Sequence, residues 1–131
     1  MKKSASIIAI FVGMVSGVAQ AQGLSVARHL SGYTCMSLNL TEQELMDGSV
    51  PVPVRSDPSP SAPQVGVAAA MVAVREPVTV VNGFVEMLFP NGRTVWVQSG
   101  VLKPWKSANN PKAKCYPSLM SNGKPGFDFT G

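Results

Sequence analysis

Two cysteines and one histidine have the widest chemical reach in this chain: Cys35, Cys115 and His29. A structural zinc site needs four nitrogen or sulfur ligands, and these three widely separated candidates fall short of it. No C-x-x-C-H run is present to attach haem. His29 has no serine or cysteine nucleophile placed with it in any motif, and it reads as a surface residue. The acids Glu42, Glu44 and Asp47 crowd into one short segment, where they suit a helix and its solvent face better than a paired acid and base in a cleft. No glycine-rich phosphate cradle follows a strand. Asn39-Leu40-Thr41 fits a glycosylation pattern, which carries little weight beside a leader of bacterial style. Catalysis, a metal and a bound cofactor therefore have no residues to stand on, and the expectation is a protein that is not an enzyme.

The cysteines gain meaning from the start of the chain. Lys2 and Lys3, an apolar run from Ala5 to Val15 and the Ala19-Gln20-Ala21 exit spell a secretory signal peptide, too short to be a spanning helix. Cleavage after Ala21 leaves 110 of the 131 residues, one small domain. Losing Lys2 and Lys3 lowers the formal charge from +4 to +2, nine Lys and Arg against seven Asp and Glu. Such a balance favours neither a nucleic acid nor a strongly anionic partner. The longest remaining apolar stretch, Val65 to Val74, is half a membrane span. In an oxidising compartment two cysteines pair, so a Cys35–Cys115 disulfide is expected, tying the segments before and after the middle of the chain.

The elements that hold these residues are short. Thr41 and Glu44 sit at capping-box spacing, with Leu40 and Leu45 as the staple and Gly48 as the stop, which predicts a helix of about two turns. Fifteen valines, no isoleucine and 21 Pro and Gly positions in the mature chain read as strands and tight turns. Val50, Val52 and Val54 alternate with prolines, as in an edge strand or an extended segment entering a sheet. Arg55 to Gln64 is an irregular loop and Val65 to Val74 a strand. Val78–Val81 and Phe84–Phe89 flank an Asn82-Gly83 hairpin turn, and Pro90-Asn91-Gly92 leads into Thr94-Val95-Trp96-Val97. Phe84, Leu88, Val95, Val97 and Leu102 are expected to point inward and Trp96 outward.

In this order the motifs resemble the bacterial Src-homology-3-like (SH3-like) domain of exported proteins. The matching stretches are Val52-Pro53-Val54-Arg55-Ser56-Asp57-Pro58-Ser59, Val65-Gly66, Asn82-Gly83-Phe84-Val85, Gly92-Arg93-Thr94-Val95-Trp96-Val97 and Val101-Leu102. Phe84 stands where the family prefers Trp, and Val95 where it prefers Gly. The resemblance covers residues 50–105, about half of the mature chain. It implies a mainly β protein: a small five-stranded barrel, with an N-terminal extension carrying a short helix (22–49) and a disulfide-tied C-terminal extension (106–131).

From Lys103 onward the chain sets Lys103, Lys106, Lys112, Lys114 and Lys124 against a single Asp128, with Trp105, Tyr116, Phe127 and Phe129 interleaved. Spaced aromatics on a basic, proline-containing stretch suit contact with another protein. Trp96, Trp105, Tyr116, Phe127 and Phe129 are the candidate partner-binding residues, and residues 121–131, beyond the bridge, are the candidates for reaching outward. The expected role is a non-catalytic periplasmic accessory subunit, held at the inner membrane only through its partners. In size, export and lack of cofactor ligands the chain is similar to the small subunit of the membrane-bound quinoprotein alcohol dehydrogenase of acetic acid bacteria. That likeness implies a quinone-bearing dehydrogenase and a multihaem cytochrome of the ethanol respiratory chain as partners. The other reading is a stand-alone SH3-like module that binds peptidoglycan or a peptide.

Overall fold

The computed structural model describes residues 23–131, so the signal-peptide expectation lies outside the described residues. The chain is mainly β. Its strands are β1 (Val26–His29), β2 (Tyr33–Leu38), β3 (Pro53–Arg55), β4 (Gln64–Val67), β5 (Met71–Arg75), β6 (Phe84–Leu88), β7 (Thr94–Gln98), β8 (Leu102–Pro104), β9 (Lys114–Met120) and β10 (Pro125–Thr130). Between β2 and β3 lies α1 (Glu42–Asp47), where Thr41 and Glu44 close a reciprocal capping box and Gly48 takes the left-handed C-cap.

Seven strands form one sheet, in the order β4-β3-β7-β6-β5-β2-β8, and three form another, β1-β9-β10. The five-stranded barrel is thus corrected: the ladder does not close, and β4 and β8 are its two edges. Two causes are visible. Residues expected to be an extension supply β2, which pairs with β5 from Tyr33↔Arg75 to Ser37↔Met71 and with β8 on its other side. The apolar run Val65–Val74 is not one strand but two, broken at Ala68–Ala70, with β4 on β3 and β5 between β2 and β6.

Three smaller expectations change with it. The proline-bearing β3 is not an edge, since it lies between β4 and β7; Pro53 lacks an amide hydrogen, and the contact with β7 shrinks to the single pair Arg55↔Trp96. Val78–Val81 is not a strand. Asn82 (φ 51°) and Gly83 (φ 82°) do form the tight turn, closed by mutual Val81–Phe84 backbone hydrogen bonds of 2.8 and 2.9 Å, but the ladder stops there at one bridge. The partner of β6 is instead β5, through Ala73↔Leu88 and Val74↔Met87. In β6 the alternation is also shifted by one residue. Val85 faces Val97 and Met87 faces Val95, so Val85 and Met87 enter the core, while Phe84 and Leu88 lie on the Trp96 face. Phe84 is buried there all the same.

The core gathers Leu38, Val52, Val54, Val72, Val74, Val85, Met87, Val95 and Val97 on one face of the seven-stranded sheet. Cys35, Ala73 and Leu88 share a row on the opposite face. There the β1-β9-β10 sheet is fastened by the Cys35–Cys115 disulfide, with Cα atoms 6.1 Å apart. Such bonds persist in oxidising, extracytoplasmic surroundings. Among the described residues no helix is long and apolar enough to cross a membrane.

Candidate functional site

The bridge fixes the position of the tail. β9 and β10 pair from Pro125↔Leu119 to Thr130↔Lys114 around the Ser121–Lys124 turn, where Met120 and Gly123 donate to the Lys124 and Met120 carbonyls, both at 2.9 Å. Residues 121–131 therefore do not reach outward: the hairpin satisfies their backbone groups and folds them back on the molecule.

Register then sorts the aromatic residues. Phe129 lies opposite Cys115, and Phe127 opposite Pro117. Phe129 is 52% exposed, and its ring meets that of half-buried Trp105 at 5.6 Å, tilted by 39°. Lys103 and Lys106 share a recess with Trp105. Lys114, next in β9 to Cys115 and across from Thr130, stands on the opposite face of the hairpin from Phe129. None of these three lysines makes an ion pair among the described residues. An aromatic pair exposed at Phe129, with the cations Lys103 and Lys106 beside Trp105, offers dispersion, stacking and charge together.

Phe127 is placed differently. It is half-buried and lines an apolar cavity of about 90 Å³ between the two sheets, with Leu30, Met87, Leu88 and Pro117. Tyr116 belongs to the other face of the hairpin, across from Asp128. It stacks on His29 with centroids 4.3 Å apart and planes 8° apart, and His29 Nε2 contacts Asp128 Oδ2 at 2.8 Å. Sequence reading missed this cluster, because ninety-nine residues separate His29 from Asp128. Ser118 pairs with His29 in the register, but its hydroxyl donates to the Tyr116 carbonyl at 2.9 Å and the residue is fully buried. The arrangement clamps β1 to β10; it presents no hydroxyl to the imidazole for attack on a substrate.

Trp96 lies apart from the tail. On β7 it faces Arg55 on one side and Glu86 on the other. The row continues through the Arg75–Glu86 contact (3.8 Å) to Tyr33, whose hydroxyl accepts from Arg75 Nη1 at 3.1 Å while the guanidinium stands over the ring. A charged neighbour on each side leaves Trp96 half-buried. Of the five candidates, the structure brings together Trp105 and Phe129, and separates Trp96, Tyr116 and Phe127 from them. Among the described residues no group of three or more His, Cys, Asp or Glu side chains could hold a metal ion. Neither the family models, nor the curated proteins, nor the solved structures contain a match to this chain.

Proposed function

We propose that the protein is a non-catalytic accessory subunit of the periplasm, exported with its signal peptide cleaved after Ala21, which docks on a larger membrane-associated complex through Trp105 and Phe129. One observation carries the reading: an aromatic residue left 52% exposed at the end of a hairpin that a disulfide holds rigid. Large aromatic residues ringed by polar groups are the usual energetic centres of protein interfaces. Lys103 and Lys106 give the surface a preference for an acidic face. In this reading β3 to β7 are an SH3-like unit with an open ladder, in which residues 68–70 carry the chain from the β4 edge to β5. The partners are then the quinone-bearing dehydrogenase and the multihaem cytochrome of a quinoprotein alcohol dehydrogenase.

Purification from the native envelope in mild detergent, with mass spectrometry and a visible spectrum, tests the proposal. Large subunits with haem absorption should accompany the native chain, and Phe129→Ala together with Trp105→Ala should release them, a loss of more than about 2 kcal/mol of binding. A solitary chain that pellets with purified peptidoglycan would replace this reading with the wall-binding module.

A further inference from the structure

Of the four strand edges, three carry a residue that discourages pairing with another chain. β1 has Arg28 and a register shift, β8 has Lys103 and Pro104, and β10 has Pro125 and Asp128. Charges, prolines and bulges are the means by which natural sheets protect their edges. β4 reads Gln-Val-Gly-Val, with neither a charge nor a proline, and its Val65 and Val67 are 46% and 48% exposed.

The ladder shows which way its polar groups face. Ala68 donates to the Val52 carbonyl at 2.8 Å, and Pro53 pairs with Val67 and Val54 with Gly66. Antiparallel ladders alternate bonded and non-bonded pairs, so Val52–Ala68 and Val54–Gly66 carry the bonds and Val67 faces proline across a non-bonded pair. The Val67 amide and carbonyl therefore point away from β3, toward an edge on which no described strand lies. Another extended backbone meets an amide and a carbonyl at that spacing with both hydrogen bonds at once.

The surroundings specify the visitor. At the start of β4, Val65 shares a recess with Arg93, which is exposed and makes no ion pair among the described residues. Of the acids nearest in sequence, Asp57 accepts from the Ser56 hydroxyl at 3.3 Å, Glu86 is paired with Arg75, and neither lines that recess. At the far end, Val67 and Ala69 border the apolar cavity between the sheets. Its volume of about 90 Å³ suits one aliphatic side chain and falls well below that of a small-molecule site. A second copy paired antiparallel would set the end of its own β4 and the residues after it, Val67-Ala68-Ala69-Ala70, beside Arg93 and so offer that cation no acid.

We propose that β4 accepts an extended segment of a partner protein as an added antiparallel strand, with an acidic residue beside Arg93 and an aliphatic residue over Val67 and Ala69. Main-chain bonds supply the affinity, and the cation and the cavity supply the selectivity. The inference uses neither Trp105 nor Phe129 and stands or falls separately from the docking surface they form.

The test uses the exported chain with its disulfide intact and a capped peptide of about eight residues, alternating Val and Thr with one Glu near its C-terminus. Antiparallel pairing brings that end to Arg93. Binding should slow hydrogen exchange at the Val67 amide. Val67→Pro removes only the outward donor and should weaken binding by about tenfold or more, with the near-ultraviolet circular dichroism retained. Arg93→Glu should transfer the preference from the Glu peptide to one carrying Lys, which keeps the test open should Val67→Pro fail to fold. Unchanged exchange at Val67 under saturating peptide, or equal binding of both peptides by the native chain, overturns the proposal. So does a native dimer that Val67→Pro splits, since the edge would then belong to a second copy.

Discussion

At Gly66 the space a methyl group would need is already occupied. A Cβ there would lie 2.6 Å from Phe89 Cζ and 3.4 Å from Val54 Cγ2, between a ring and the core. Gly66→Ala must displace the ring or the strand, and should cost about 1–3 kcal/mol in urea unfolding. Gly126 makes an informative contrast. Its Cβ would also meet an atom at 2.6 Å, but that atom is Met120 Cγ, part of a flexible side chain that can rotate aside. Gly126→Ala should therefore be the milder change of the two; equal losses would show that the Phe89 ring yields as readily as the thioether. Nothing in the sequence around either glycine separates the two cases. The distinction lies in which side chain the fold brings against each.

At the level of elements, local chemistry was legible and strand pairing was not. Thr41, Glu44 and Gly48 form a cap, a box and a stop within eight residues, and each finds its partner without help from the rest of the chain. Just beyond, the Ser49 hydroxyl and backbone amide hold the Asp47 carboxyl below its ordinary value of 3.8. A depressed carboxyl pKa stabilises the folded state above the ordinary value, and the gain is lost as pH falls through the depressed one. Ser49→Ala should raise the Asp47 midpoint toward 3.8 but not all the way, because the Ser49 amide still donates at 2.8 Å. A carboxyl-carbon NMR titration reads this directly, and an unmoved midpoint would assign the whole effect to the backbone. The strand errors share one origin. Asn82-Gly83 announces a hairpin turn, but not that the pairing strand is β5, several residues upstream. In β6, Phe84-Val85-Glu86-Met87-Leu88 offers apolar residues on both faces, so its phase is undetermined until β7 supplies Val95 and Val97. The row Arg55, Trp96, Glu86, Arg75 and Tyr33 was invisible for the same reason, as it exists only once five strands are aligned.

For the whole molecule the disulfide is the decisive contact. It was readable from two cysteines and the expectation of an oxidising compartment, whereas β1 and β2 were not, because their side chains make sense as strands only against β9 and β5. Closing a loop with a sequence separation of 80 stabilises the fold by about 4 kcal/mol in the chain-entropy picture. Cys35→Ser with Cys115→Ser should lower the unfolding free energy by about that amount and leave the β1-β9-β10 sheet to its own hydrogen bonds; a loss well under 1 kcal/mol would mean that the two sheets hold each other without it. The same bond sets how the chain bears tension. Both ends of the described chain enter the small sheet, on either side of β9, while most of the seven-stranded sheet lies between the two cysteines. A pull on the ends, such as a moving partner or a translocating pore would exert, peels off residues 23–34 and 116–131 and then meets a covalent stop. The chain lengthens by no more than on the order of 100 Å, and the valine core within the loop carries no load: the molecule behaves as a short tether with a locked reel.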